Sequence, residues 1–301
     1  MDLKKIKEDF EKRYAKSPEN LFFCGKPIVF FKKNGLVTGT SLSVGGYIAT
    51  AKREDGRIQL SHSDSNSLFS VNIEEIGIFR GEKICDLLIK LEEYGAKPQG
   101  ADILIYENTD LKLPAELLLL CAQEGFCKNP ILPREAVRYF DNYEENSVAA
   151  LSKSNRITAF CGQNIEYLPF HNQKYKIVIS AVRDRTGIKE YASLGAEDAR
   201  EALFSQDMEK FGHILNKSTG ILLEKHPVSK SRRLFETASA LGDSLGNGIF
   251  SEGGIFSIVE NCRVDTFIHN LGSAYEKRVG GRPAFYITQT EDSACALPLP
   301  E

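Results

Sequence analysis

The chain has 301 residues, ample for one large or two ordinary domains with a real core, and a net charge of −3 with both signs interspersed. It holds no basic patch of the kind that draws nucleic acid, and no apolar run long enough to span a membrane. Its cysteines, Cys24, Cys85, Cys121, Cys127, Cys161, Cys262 and Cys295, are scattered without paired spacing. That argues against a disulfide framework or a zinc site and for reduced thiols in the cytoplasm.

Ile6, Phe10 and Tyr14 recur at helical spacing with acids interleaved, so the chain opens on a helix rather than a secretory signal. That helix is expected to end near Ser17-Pro18. Leu21 to Phe31 is apolar but interrupted by Gly25-Lys26-Pro27, which reads as a pair of strands. Lys32-Lys33-Asn34-Gly35 follows, and Asn-Gly predicts a tight hairpin turn because both residues tolerate positive φ. Short strands are expected at Tyr47–Thr50, Arg57–Leu60 and Leu68–Val71. His62, with no partner at metal spacing, reads as a solvated loop residue. Ile84, Leu87, Leu88, Leu91 and Tyr94 predict an amphipathic helix closed by Gly95, and Ala101–Tyr106 a buried strand.

Pro114 suits the first position of a helix whose Leu117, Leu118 and Cys121 face the core. A further helix is expected from Pro133 to about Asn146, with Glu144 and Glu145 at its solvated end, then a strand at Arg156–Phe160. Pro169–Gln173 is the expected domain boundary. Tyr175–Val182 reads as a strand and Tyr191–Leu203 as a helix. Phe211–Asn216 belongs to another helix, with His213 in a packing or capping role, and Val228–Leu241 to a third. Between Gly246 and Val259, four glycines run into an apolar, β-branched segment, the mark of a tight turn or a ligand-facing loop beside a strand. Val264, Phe267, Ile268, Leu271 and Tyr275 then form a helix, stopped by Gly280-Gly281-Arg282-Pro283, and Ala284–Thr288 a strand.

The stretch from Val264-Asp265-Thr266-Phe267 to Ala274-Tyr275-Glu276-Lys277-Arg278-Val279-Gly280, followed by Pro283-Ala284-Phe285-Tyr286, resembles the galactokinase family of the GHMP kinase superfamily. The matching family helix reads E-x-x-F-x-x-x-V-x-x-x-Y-x-x-x-T-G. Phe211-Gly212-His213-Ile214-Leu215-Asn216 likewise resembles the family's F-G-x-L-M-N-E-S-H. The resemblance covers almost the whole chain and is strongest in its second half. It implies an α+β, two-domain GHMP kinase-type fold: a mixed-sheet N-terminal domain at 1–170, a ferredoxin-like C-terminal domain at 171–301, and a cleft between them.

The ligand-facing motifs depart from the family. Gly25 is retained, but Lys26 stands at an arginine close to the transferred phosphate; it keeps the charge and loses the planar fork. Lys32 and Lys33 hold the positions of the sugar-binding glutamate and histidine, and the family's aspartate is deleted. The phosphate loop needs glycines, serine hydroxyls and a helix start facing an anion. Its slot here reads Asp110-Leu111-Lys112-Leu113-Pro114. Pro114 has no N–H, and Asp110 sets a charge where phosphate would lie. Like charges about 4 Å apart at an effective dielectric near 20 repel by about 4 kcal/mol, an upper bound because Lys112 offsets part. The catalytic aspartate position holds either Glu145, followed by Asn146, or a deletion. In the glycine motif Gly253 and Gly254 survive, while Phe250 replaces a threonine and Glu252 adds a charge.

Scaffold positions persist while ligand-facing ones have drifted, which points to a galactokinase-like protein without phosphotransfer, kept as a binding, regulatory or assembly protein. Such a protein needs no cofactor or metal, and its partner is an unidentified small molecule or protein. The alternative is an ATP-dependent sugar kinase with remodelled residues, which would use Mg-ATP.

Overall fold

The computed structural model describes residues 2–65, 67–107, 111, 113–131, 135, 143–182, 188, 190–227 and 229–300. In chain order the elements are α1 (Leu3–Tyr14), β1 (Asn20–Lys33), β2 (Leu36–Lys52), β3 (Arg57–His62), β4 (Leu68–Asn72), α2 (Lys83–Glu93), β5 (Ala101–Glu107) and α3 (Ala115–Cys121). After these come α4 (Tyr143–Leu151), β6 (Arg156–Cys161), β7 (Asn164–Pro169), β8 (Tyr175–Ala181), α5 (Ala196–Phe204), α6 (Met208–Glu224) and α7 (Lys230–Leu241). The chain continues through β9 (Gly246–Ile249), β10 (Gly254–Glu260), α8 (Val264–Val279), β11 (Ala284–Thr288), β12 (Thr290–Glu291) and β13 (Cys295–Leu297). Two compact units result, one of Met1–Lys26, Val44–Leu151 and Ser293–Glu301, the other of Pro27–Ser43 and Ser152–Asp292. Strands β1 and β2 contribute to both.

The first unit is built on a mixed sheet. Strand β13 runs antiparallel to the start of β1, the end of β2 antiparallel to β5, β3 parallel to β5, and β4 antiparallel to β3. Alternation along β5 explains the layering, since successive side chains of a strand point to opposite faces. Leu104 and Tyr106 join Ile6 and Phe10 of α1 on one face. Ile103 and Ile105 join Leu87, Leu88 and Leu91 of α2, and Leu117 and Leu118 of α3, on the other. Helix α1 starts where Asp2 accepts from the Lys4 N–H and ends at Ala15 in the left-handed region, short of Ser17-Pro18.

The second unit carries an antiparallel sheet in the order β11-β8-β10-β9. In order of sequence these are the fourth, first, third and second strands, with helices after the first and third. That is the ferredoxin-like split βαβ arrangement. Val178, Ile255 and Val259 on the sheet pack with Leu234 of α7 and Phe267 and Leu271 of α8. Phe30 of β1 stacks edge-on to Phe211 and Phe256. Beside this sheet, the start of β2 pairs with β6, β6 with β7, and β12 with β2.

Several expectations are corrected. Leu21 to Phe31 is not a pair of strands; β1 runs unbroken through Gly25-Lys26-Pro27. A proline is compatible with an extended strand wherever its missing N–H is not required by the ladder. Residues 191–195 are not helical, because α5 begins only after Gly195, whose φ of 72° sets it in the left-handed region. His213 is exposed, on the face of α6 opposite the buried Phe211 and Leu215 rather than among them. His62 ends β3 and is half-buried, its carbonyl accepting from Arg13. Most of 133–142 lies outside the described residues, and the helix there is seen from Tyr143 to Leu151.

Candidate functional site

Leu111, Leu113 and Pro114, where the resemblance leads us to expect a phosphate loop, lie between β5 and α3. Asp110 and Lys112 lie outside the described residues. Leu111 and Leu113 are both buried, the latter 6% exposed, and Leu113 belongs to the same apolar cluster as Leu117 and Leu118. The Leu113 N–H donates to Glu107 Oε1 at 2.6 Å, so a carboxylate from the end of β5 already caps it. Pro114 precedes α3 with φ −57° and ψ 132° and gives no side-chain cap. Helix α3 has seven residues, and Leu117 through Cys121 are buried. Gly46 of β2 lies beneath: a Cβ there would come within 2.7 Å of Leu118 Cδ2. Sequence reasoning misses Glu107; the only available signal is a carboxylate at the end of a strand, six residues before Leu113.

Lys26 lies in β1 with its side chain buried to 2% exposure. Glu145 is half-buried in the first turn of α4. Burial of an ammonium is costly unless the group is paired.

At the tip of β1 and β2, Asn34 (φ 50°) and Gly35 (φ 82°) form the two-residue turn that the sequence predicts. Lys32 is exposed, and its N–H donates to the Ala192 carbonyl at 2.9 Å. Lys33 Nζ stands 3.7 Å from Glu197 Oε2. The turn borders a cavity of about 530 Å³, lined by Lys33, Asn34, Phe160, Cys161, Glu166, Glu197 and Arg200 among others. Arg200 Nε donates to Glu166 Oε2 at 2.6 Å. The two lysines thus part: Lys33 lines this cavity and Lys32 does not. Glu197 and Arg200 lie three apart on one helix face, a spacing legible in sequence.

The glycine motif closes on itself. Gly253 and Gly254 have φ of 111° and 121°, open only to glycine, and a Cβ on Gly254 would sit 2.1 Å from the Ser180 carbonyl oxygen. The Gly254 N–H donates to Ser231 Oγ at 2.9 Å and the Gly253 N–H to the Phe250 carbonyl at 3.0 Å. Phe250 is buried and Glu252 exposed. Among the described residues, no three His, Cys, Asp or Glu side chains cluster as a metal set, and no helix is long and apolar enough to cross a membrane.

No family model matches the chain. Galactokinase of Clostridium perfringens is 28% identical over 149 residues, 48% of this chain and 38% of that protein. Galactokinase of Fusobacterium nucleatum is 33% identical over 105 residues, 33% of this chain and 27% of that protein. The matched stretch thus spans less than two-fifths of these curated relatives. Among solved structures, Lactococcus lactis galactokinase complexed with galactose superposes with a TM-score of 0.84 at 18% identity, covering 98% of this chain and all of that one. A mevalonate kinase does so at 0.60 and 13%, covering 90% and 99%. The chain thus shares local sequence similarity with galactokinases and the fold of GHMP kinase structures, at low identity.

Proposed function

We propose that this protein has lost phosphotransfer and serves as a binding, regulatory or assembly protein, with residues 1–170 and 171–301 as its two inherited sequence domains. The observation that carries the reading is the Glu107 carboxylate on the Leu113 N–H. A phosphate loop binds by offering free backbone N–H groups to an anion. Here one N–H already holds an anion of the chain's own, Pro114 supplies none, and Leu113 turns its side chain into the core. The internal bonds of Gly253 and Gly254 point the same way. These residues do not fit a triphosphate, so Mg-ATP has no step in the proposed role. The degenerate loop and the basic hairpin at Lys32 and Lys33 support loss of the sugar kinase reaction, with Lys26 and Glu145 as positional remnants.

The partner we propose is a small molecule or a protein. The net charge of −3 does not favour nucleic acid, and the free cysteines suit a reduced cytoplasmic setting. The test is an ADP-release assay with Mg-ATP and a panel of galactose-like sugars, followed by detection of sugar phosphate. No sugar-dependent ADP release is expected. Release above the sugar-free rate, abolished by Lys26→Ala, would instead establish a working sugar kinase with remodelled residues.

A further inference from the structure

Four buried cysteines, Cys24, Cys85, Cys121 and Cys127, belong to one apolar cluster of the first unit. Among the described residues only one pair is in thiol contact. The Cys121 S–H donates to Cys24 Sγ at 3.4 Å across 97 residues of chain, and the Cys24 S–H in turn donates to the Gly25 carbonyl at 3.8 Å. One sulfur lies on β1, two residues before Lys26; the other closes α3, the helix that follows the loop at 111–114. A disulfide needs the sulfurs at about 2.05 Å, so from 3.4 Å they must approach by about 1.4 Å.

We propose that Cys24 and Cys121 are an oxidative modification site, forming a reversible disulfide that staples β1 to α3. The oxidant is a small peroxide. One thiol attacks the O–O bond, becoming a sulfenic acid and releasing water; the second displaces hydroxide from that sulfur, forming the S–S bond and a second water. Two thiols lose two electrons and two protons, and hydrogen peroxide is reduced to two waters. The hydrogen bond to Cys24 and burial push the Cys121 thiol well above its ordinary range. Thiolate is the reactive form, so the bond forms more slowly than oxidation of the exposed Cys161, Cys262 and Cys295.

This order of reactivity sets the test. The three exposed cysteines are changed to serine, and the full chain is treated with hydrogen peroxide, then alkylated under denaturing conditions. The expected result is loss of two free thiols and a non-reducing peptide map that joins the Cys24 peptide to the Cys121 peptide. The oxidised protein should melt higher by about 5 °C, since the bond closes a long loop, and dithiothreitol should reverse both changes. Cys121→Ala in the same background should lose the cross-link and the shift. If that variant does not fold, the peptide map of the parent and a parallel Cys24→Ala variant decide. Four retained thiols after treatment that fully oxidises the exposed cysteines of the unsubstituted chain would overturn the proposal. So would linkage of either cysteine to Cys85 or Cys127, or sulfinic acid at either without a cross-link.

Discussion

At the scale of single residues, Glu107 decides how the loop before α3 is read. A hydrogen bond to a charged group contributes more than a neutral one, and losing the partner of a buried donor costs about 1–3 kcal/mol. Glu107→Ala should therefore lower unfolding free energy by about that amount, measured in urea, while Glu107→Gln, which still offers an oxygen, should lose less. Equal losses in both variants would mean that the charge, not the acceptor, holds Leu113. Sequence alone makes Leu113 and Pro114 conspicuous, because the resemblance leads us to expect serines there. It does not reveal Glu107. Nothing in a lone carboxylate at a strand end shows that it caps an N–H six residues further on, and that information exists only in the folded loop. Gly253 and Gly254 are legible as glycines that the backbone requires, but not the Ser231 hydroxyl that occupies one of their N–H groups.

At the scale of elements, the hairpin at Asn34-Gly35 is the most legible feature, since Asn-Gly names the turn type directly. Gly35 holds φ 82°, where a β-branched side chain is strained. Gly35→Val should destabilise by about 1–3 kcal/mol and Gly35→Asn by clearly less; unchanged unfolding midpoints for both would contradict the tight turn. Less legible is the continuity of β1, because Gly-Lys-Pro ordinarily punctuates a chain and here the strand passes through it.

The α7–α8 contact carries a pH signature. Glu236 accepts from Arg232 Nε at 2.8 Å and from Arg278 Nη2 at 2.6 Å. Arg232 first, and then Arg278, hold its carboxyl below the ordinary value of 4.5. A depressed carboxyl stabilises the fold above its unfolded value, and that contribution is lost as pH falls through the folded value. Stability should thus drop more steeply below about pH 4.5 in the parent than in Glu236→Gln, by well under 1 kcal/mol because the pair is part-exposed. Parallel acid-unfolding curves would remove this contribution.

At the scale of the whole molecule, the fold is largely legible because its signals are periodic and redundant. Helical spacing at Val264 to Tyr275 and the apolar run at Ala101–Tyr106 correspond to α8 and β5 of the folded chain. What a site binds depends on a few convergent groups and is far less redundant. Whether the chain retains a nucleotide site is therefore best measured directly, by thermal unfolding with Mg-ATP against a matched sodium triphosphate control. A surviving site with a dissociation constant near ~0.1 mM would, at about 10 mM nucleotide, add about 2.7 kcal/mol. In a chain of this size that is roughly 5 °C. The self-capped loop predicts the same midpoint in Mg-ATP and in the control; a rise of about 5 °C with Mg-ATP alone would contradict it.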